Sequence, residues 1–347
     1  MFLVLLLMVG FWILGARMGA SVIARSALLA VIFMGVLLLH VLLPDGAPLR
    51  ESTGGSAAPW LLLAGAFVVI MLYRQGLKRI RDRAAPKEGE ALSDGPLGEV
   101  ELQRYARHIV LRELGGPGQK RLQQAGVLVI GAGGLGAPAL QYLAAAGVGT
   151  IGVIDDDRVE NANLQRQVIH RDADIGMPKV FSAQAAMVAQ NPFVTVKPYH
   201  RRLDEDVAAE LVAEYDLVLD GTDNFDTRYL VNLICAEAGK PLISGALSQW
   251  EGQISVFHPA DGTPCYQCIF PEAPALGLAP SCAEAGVLGP LPGVVGAMMA
   301  VEAIKVITGA GVTLKGEMLI YDALYGETRK IGLKRREACP VCGGVHG

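Results

Sequence analysis

Four of the six cysteines fall into two Cys-x-x-Cys pairs, Cys265 with Cys268 and Cys339 with Cys342. Two such pairs supply four thiolates, which is the tetrahedral ligand set that structural zinc prefers. A redox-active pair of the thioredoxin type is the alternative, but such a pair normally stands alone beside a βαβ unit. The pattern therefore favours a closed structural zinc site that pins the C-terminal segment and has no catalytic role.

A glycine-rich turn carries a second kind of chemistry. Its sequence is Gly-Ala-Gly-Gly-Leu-Gly at 131–136, and it lies between an apolar run at 127–130 and a helical stretch at 137–146. Glycines in this context let the backbone approach a phosphate at a helix N-terminus. Asp155 ends the next apolar run, where a ribose hydroxyl is bound in such units. The pattern predicts a nucleotide site and leaves NAD, a flavin and ATP open as ligands.

Charged side chains follow the same predicted strand ends. Arg166 and Lys179 come after the strand that ends at Asp155, and Asp223 follows a buried apolar run at 217–219. Because parallel strands of an open α/β sheet end at one edge, these four side chains should converge beside the glycine turn. Each alone is typical of a solvated surface charge. Together they suit a triphosphate, whose chemistry needs surrounding cations and usually magnesium.

These residues belong to motifs that resemble the MoeB/ThiF/HesA family, the bacterial relatives of ubiquitin-activating enzymes, and within it the MoeB-type molybdopterin-synthase adenylyltransferases. The resemblance extends from about residue 101 to residue 342. Its motifs are Arg-Tyr-Ala-Arg-His-Ile at 104–109, the glycine turn, Asp-Asp-Asp at 155–157, Asn-Leu-Gln-Arg-Gln at 163–167, Pro-Lys at 178–179, Thr-Asp-Asn at 222–224 and the paired cysteines. It implies a Rossmann-like, mostly parallel α/β sheet with helices on both faces and a zinc-bearing C-terminal part.

The resemblance also implies a role for each matching residue. Asp155 would bind the ribose of ATP, and Arg166 and Lys179 its phosphates. Asp223 would hold magnesium and orient the attacking carboxylate. Arg107 would reach into the ATP site of a partner subunit, so a homodimer with shared sites is implied. The other residues expected at the nucleotide pocket are Gly131, Gly133, Gly134, Gly136, Asp157, Asn163 and Gln167.

The implied reaction is adenylylation of the C-terminal glycine of a ubiquitin-like sulfur-carrier protein that ends in Gly-Gly, with release of pyrophosphate. The expected carrier is the small subunit of molybdopterin synthase, in molybdenum-cofactor biosynthesis, and the thiamine-pathway carrier is the alternative. A carboxylate is already ionised at neutral pH, so no catalytic histidine is required. All six histidines are expected to be structural or exposed.

A membrane-anchored NAD- or FAD-dependent oxidoreductase is the other enzyme hypothesis. It gives no reason for Arg166, Lys179 and Asp223 to gather around one turn. The formal net charge of -4 gives no indication of nucleic-acid binding.

Cys282 stands apart from the paired cysteines. It follows a proline-rich stretch at 271–280, in a predicted loop ahead of an apolar helix. In related activating proteins a cysteine at this position takes part in sulfur or thioester transfer, so Cys282 is a candidate nucleophile, with a passive loop cysteine as the alternative. No rhodanese-like sequence follows Cys342, and sulfur is therefore expected from a separate donor protein.

The first 75 residues differ in composition from the rest. Uncharged runs at 1–16, 26–44 and 57–73 approach the roughly 20 residues that cross a bilayer as helix. We expect about three transmembrane helices in 1–75, a basic and flexible linker at 76–98 and an adenylyltransferase domain at 99–347.

The charges that flank these runs predict the orientation. Basic residues between Arg74 and Lys87 follow the third run, and positive flanks stay on the inner side of a membrane. A signal peptide is disfavoured because no Lys or Arg precedes Arg17. The chain is therefore expected at the inner membrane with its catalytic domain in the cytoplasm.

Overall fold

The structure is a computed structural model, and it describes residues 2–19, 21–84, 97–274 and 285–343. The chain divides into two compact units, Met1–Glu88 and Gly89–Gly347. Cys282 lies outside the described residues, as does most of the predicted linker, so both interpretations stay predictions.

The N-terminal unit is built of apolar helices. They are α1 (Phe2–Arg17), α2 (Val22–Leu42), α3 (Pro48–Ser52) and α4 (Ala58–Ala84). Trp60 in α4 is fully buried, and its indole Nε1 donates to the carbonyl oxygen of Thr53 at 2.9 Å. The hydroxyl of Thr53 lies 3.2 Å from Nε2 of His40 in α2. These contacts join the connection between α2 and α4 to both helices.

Among the described residues, three helices are long and apolar enough to cross a membrane by length and composition alone, at Ala24–Leu42, Ala58–Gly76 and Pro290–Thr308. The first two belong to α2 and α4. Helix α1 has 16 residues and is shorter than the roughly 20 that a span requires. The third helix lies in the second unit, where half of it is buried inside the protein, so the protein core accounts for its apolar composition.

The second unit is organised around one eight-stranded sheet. Its strands are β1 (Gly126–Ile130), β2 (Thr150–Ile154), β3 (Thr195–Tyr199), β4 (Leu217–Asp220), β5 (Leu242–Leu247), β6 (Glu251–Phe257), β7 (Glu317–Asp322) and β8 (Glu327–Gly332). The spatial order is β3-β2-β1-β4-β5-β6-β7-β8. The first five strands in this order are parallel to one another, and the pairs β5–β6, β6–β7 and β7–β8 are antiparallel. The mostly parallel, Rossmann-like sheet that the sequence predicts is confirmed.

Helices cover both faces of this sheet. They are α5 (Glu99–Ile109), α6 (Gly115–Gln124), α7 (Gly136–Ala146), α8 (Lys179–Gln190), α9 (Glu205–Ala213), α10 (Phe225–Glu237), α11 (Tyr266–Ile269) and α12 (Pro290–Thr308). Val127 and Val129 of β1 pack with α7, α8 and α12, whereas Leu128 and Ile130 pack with α9 and α10. A strand buried on both faces carries apolar residues at successive positions.

Helix α5 is fixed at the far end of α7 from the glycine turn. The hydroxyl of Tyr105 accepts a hydrogen bond from Nδ2 of Asn191 at 2.8 Å, and Asn191 also donates to the carbonyl of Ala144 at 2.6 Å. Gly147 ends α7 with φ +81°, and a Cβ there would lie 2.5 Å from the ring of Tyr105. Because α7 is about 16 Å long, α5 lies near the opposite ends of the strands from the glycine turn.

Candidate active site

The glycine turn joins the end of β1 to the start of α7 by close backbone packing. Gly131 has φ +89°, and a Cβ on Gly136 would lie only 1.8 Å from the carbonyl oxygen of Gly131. A larger residue at 136 would therefore displace the turn. The first N–H groups of α7 are left at the carboxyl edge of the sheet, where a helix N-terminus attracts a phosphate.

Asp155 ties the end of β2 to this turn. One carboxylate oxygen accepts the N–H of Ala132 at 2.7 Å, and the other accepts the N–H of Asp157 at 2.8 Å. A carboxylate offers about four lone-pair positions, so acceptor positions remain for a ribose hydroxyl. The location suits the ribose role expected of Asp155, and the role itself stays a prediction.

Arg166 and Gln167 approach the turn from the segment after β2. Nη2 of Arg166 donates to Oδ1 of Asn163 at 3.0 Å, and its Cδ lies 3.9 Å from where a Cβ of Gly134 would be. Gln167 is buried, and its Nε2 lies 3.6 Å from the equivalent position at Gly133. Its Oε1 has no hydrogen-bond partner among the described residues. This oxygen is an unpaired, buried acceptor in the segment beside the turn.

Lys179 begins α8 and faces the acidic end of β2. Its side chain is 5% exposed, and Nζ lies 2.7 Å from Oδ2 of Asp157, whose side chain is largely exposed. The backbone N–H of Lys179 also donates to the carbonyl of Asp157 at 3.0 Å. A buried ammonium needs a counter-ion. A phosphate could take that place, because the exposed carboxylate of Asp157 can return to water.

Asp223 lies on the other side of the turn, in the loop after β4. The methyl carbon of the preceding Thr222 is 3.6 Å from where a Cβ of Gly131 would be. The carboxylate of Asp223 is exposed and has no hydrogen bond or ion pair among the residues that the structure describes. The three carboxylates at 155–157 gather within 4.8 Å of one another. Oxygen ligands for a divalent cation therefore stand at both strand ends that flank the turn.

Arg107 is not brought to this turn. It lies in the last turn of α5, is exposed, and has no ion pair within the described parts of the chain. Since α5 packs near the opposite ends of the strands, Arg107 cannot belong to the same pocket as Arg166 in a single chain.

Arg228 in α10 is a residue that the sequence analysis missed. Its guanidinium is buried, and Nη1 donates to Oγ of Ser244 at 3.0 Å, while Nη2 donates to the carbonyl oxygens of Gly245, at 2.7 Å, and Thr222. The fully buried carboxylate of Asp220 lies 3.5 Å from Nη1. Arg228 therefore braces the loop after β4 against the middle of β5. The only sequence signal was a charge on the buried face of an otherwise ordinary helix.

Replacing Arg228 with methionine would leave Asp220 buried without its cation. We expect the free energy of unfolding to fall by about 3–5 kcal/mol, measured by chemical denaturation of the full chain. The control Arg329→Met removes an exposed ion pair with Glu327 and should cost less than about 1 kcal/mol. Equal stability of the two variants would contradict the bracing role.

The four paired cysteines form one buried cluster. Their Sγ atoms lie 3.9 Å apart for Cys265 and Cys268, 3.6 Å for Cys265 and Cys339, and 3.3 Å for Cys268 and Cys342. A tetrahedron with zinc–sulfur bonds of about 2.3 Å puts the sulfurs about 3.8 Å apart, so the cluster could hold zinc after small shifts. Burial raises the pKa of Cys339, but backbone hydrogen bonds at Cys342 and Val341, together with the thiols of Cys265 and Cys268, outweigh it and lower the pKa to about 7.

Comparison with known proteins identifies the family of this chain. A model of the ThiF family matches residues 105–341. The chain belongs to this family. The resemblance to the MoeB/ThiF/HesA family is thereby confirmed, and the match begins beyond the N-terminal helices.

Its relatives are named adenylyltransferases and activating enzymes. The sulfur carrier protein adenylyltransferase of Thermus thermophilus is 52% identical over 247 residues, which cover 70% of this chain and 91% of that protein. The SAMP-activating enzyme E1 of Haloferax volcanii is 50% identical over 247 residues, 71% of this chain and 91% of its own length. The probable adenylyltransferase/sulfurtransferase MoeZ of Mycobacterium tuberculosis is 52% identical, but the match covers 63% of its length. The ThiF-family chain is an adenylyltransferase.

A solved structure supports the fold independently. Escherichia coli MccB with ATP superimposes with a TM-score of 0.62 at 24% identity, covering 71% of this chain and 76% of that one. At this identity the likeness concerns the fold alone.

Proposed function

We propose that this chain adenylylates the C-terminal glycine of a ubiquitin-like sulfur carrier, and that the carrier is the small subunit of molybdopterin synthase. The proposal is supported by the glycine turn, where Asp155 accepts the N–H of Ala132 and Arg166 lies beside Gly134, with Lys179 paired to the nearby Asp157. The name of the Thermus relative supports the class of substrate. The choice of the molybdopterin carrier, and hence of molybdenum-cofactor biosynthesis, follows from the sequence resemblance.

The reaction needs electrostatic stabilisation and alignment. A glycine carboxylate attacks the α-phosphorus of ATP, the bond to the bridging oxygen breaks, and pyrophosphate leaves with the electron pair. Arg166 and Lys179 would neutralise charge that spreads over the phosphates, and Asp155 would orient the ribose. Magnesium, held at Asp223, would supply further neutralisation. The attacking group is already ionised, so no general base is required.

Mass spectrometry of candidate carriers tests this proposal directly. After incubation with the full chain, ATP and magnesium, the molybdopterin-synthase small subunit should gain the mass of one AMP group. Asp223→Asn should slow adduct formation by on the order of a hundredfold, because the cation loses its ligand. The control Asp204→Asn alters an exposed carboxylate that pairs with Arg201 and should leave the rate unchanged.

Each contrary outcome has a defined meaning. An adduct on the thiamine-pathway carrier alone would replace the proposed substrate while keeping the chemistry. Reduction or oxidation of a nicotinamide or flavin without any AMP adduct would overturn the chemistry itself.

We infer that the active unit is a homodimer in which Arg107 completes the partner's site. This inference is supported by the exposure of Arg107, by its lack of an ion pair with any residue that the structure describes, and by its distance from its own glycine turn. Arg107→Ala and Asp223→Asn alone should each retain on the order of a hundredth of wild-type activity or less, and an equimolar mixture that exchanges subunits should recover about a quarter of it. A mixture of Arg166→Ala with Asp223→Asn should recover none, since both residues serve the same pocket. Failure of the first mixture despite subunit exchange would exclude a shared site.

The cysteine cluster is proposed to hold one structural zinc ion. All four ligands are protein thiolates, so the ion would have no open position and would serve the fold. Elemental analysis should find about one zinc per chain, and Cys342→Ser should lose the metal together with stability. Cys235→Ser changes a buried thiol outside the cluster and should keep the metal. Full zinc content in Cys342→Ser would contradict the assignment.

The N-terminal unit is proposed to anchor the enzyme in the inner membrane, with the catalytic unit in the cytoplasm. The apolar lengths of α2 and α4 and the basic residues that follow support this. The full chain should resist extraction from membranes by alkaline carbonate, whereas a chain that begins at residue 97 should not. Release of the full chain by carbonate would contradict a transmembrane anchor.

A further inference from the structure

A buried histidine connects the glycine turn to an acidic side chain. Nε2 of His170 lies 2.9 Å from the carbonyl oxygen of Ala132, and Nδ1 lies 2.9 Å from Oγ of Ser182. The hydroxyl of Ser182 in turn lies 2.7 Å from Oδ2 of Asp174. His170 is 6% exposed and Ser182 is 1% exposed. Three consecutive short polar contacts thus run from the backbone of the turn to Asp174.

Each of the three contacts is a hydrogen bond only if one hydrogen lies between its two polar atoms. A carbonyl oxygen and an ionised carboxylate only accept hydrogen bonds, so both ends of the chain need a hydrogen from the middle. The three contacts need three hydrogens. Neutral His170 supplies one and the Ser182 hydroxyl supplies one. The chain is complete only when it holds one further proton.

That further proton belongs on the imidazole. Histidine has an ordinary pKa near 6.5, whereas that of an aspartic acid is near 4. Protonated His170 then donates from both ring nitrogens, to Ala132 and to Ser182, and Ser182 donates to Asp174. The charge would lie next to the turn, because the carbonyl oxygen that Nε2 contacts belongs to Ala132, whose own backbone N–H donates to Asp155.

Burial and nearby charges of both signs determine the protonation state of His170. Burial lowers the pKa of His170, and so does the ammonium of Lys179 at the start of α8. The hydrogen bond to Ala132 acts in the opposite direction, as do the carboxylates of Asp155 at the end of β2 and Asp174 ahead of α8. Without a nucleotide the imidazole is therefore largely neutral at physiological pH, and one contact of the chain lacks its hydrogen.

We propose that His170 takes up a proton from water when ATP binds at the glycine turn, so that nucleotide affinity is linked to pH. This inference rests on the proposed function, since it requires the triphosphate at that turn. The phosphates bring negative charge to the face opposite His170, which favours the imidazolium and completes the three contacts. His170 is a positioning residue: it touches the turn and not the nucleotide.

Titration calorimetry of the full chain in detergent measures this proton. The titrant is the magnesium complex of the α,β-methylene analogue of ATP, which cannot form an adenylate. At pH 8 its phosphates are fully ionised, and the dependence of the heat on buffer ionisation enthalpy then gives the protons taken up. Wild type should gain about half to one proton per nucleotide, with affinity falling by up to about tenfold per pH unit.

Asp174→Asn is the discriminating variant. An amide can donate to Ser182, which then donates to Nδ1, while neutral His170 donates from Nε2 to Ala132. All three contacts are satisfied without an added proton, so binding should persist while proton uptake and its pH dependence disappear. The matched control is Asp172→Asn, which removes an exposed charge from the same short 3-10 helix outside the chain of contacts. It should retain wild-type uptake.

Ser182→Ala provides a second test that keeps both ionisable groups. It removes the link between His170 and Asp174 and should lower the proton uptake at unchanged nucleotide stoichiometry. Wild-type uptake in Asp174→Asn, or binding by wild type without any uptake, would overturn the inference and leave the proposed function intact. Absence of analogue binding to wild type at every pH would instead overturn the proposed function.

Discussion

The parallel pairing of β1 with β2 on one side and β4 on the other is the constraint on which the candidate site depends. In this register Ile130 lies between Ile154 and Asp220, so the three strands end at the same level. The glycine turn, the acidic segment after β2 and the loop that carries Asp223 must then open at one edge of the sheet. Close backbone packing of Gly136 against Gly131 keeps the first turn of α7 at that edge.

Buried polar contacts surround this edge and hold it in place. Lys179 is paired with Asp157, Arg228 joins the loop after β4 to the middle of β5, and His170 supports the turn. Burial of charged groups is costly, and the proposed phosphate ligand would need fixed dipoles and cations of this kind around it. An exposed partner, such as Asp157 beside Lys179, can be replaced by a ligand. Rigid support and replaceable counter-ions thus occur at one edge of the sheet.

Local patterns predicted the elements well. The apolar run at 127–130 is a strand in the structure, and the helical stretch at 137–146 is a helix; each begins one residue earlier than the sequence indicated. Apolar runs and glycine turns act over a few residues, so sequence alone can reveal them. Arg228 and His170 were not recognised as parts of the site because their partners come from distant segments. Burial also reverses the ordinary expectation that an arginine lies in solvent.

The sequence by itself determined the class of fold, the family, the glycine turn, the acid at the end of β2 and the two Cys-x-x-Cys pairs. Each of these depends on residue identity at short spacing. Only the tertiary structure decided that four distant thiols form one cluster and that Arg107 lies away from Arg166. It also decided which polar groups are buried together behind the turn. Those outcomes depend on strand order and on which helix faces which strand, and no short stretch of sequence contains that information.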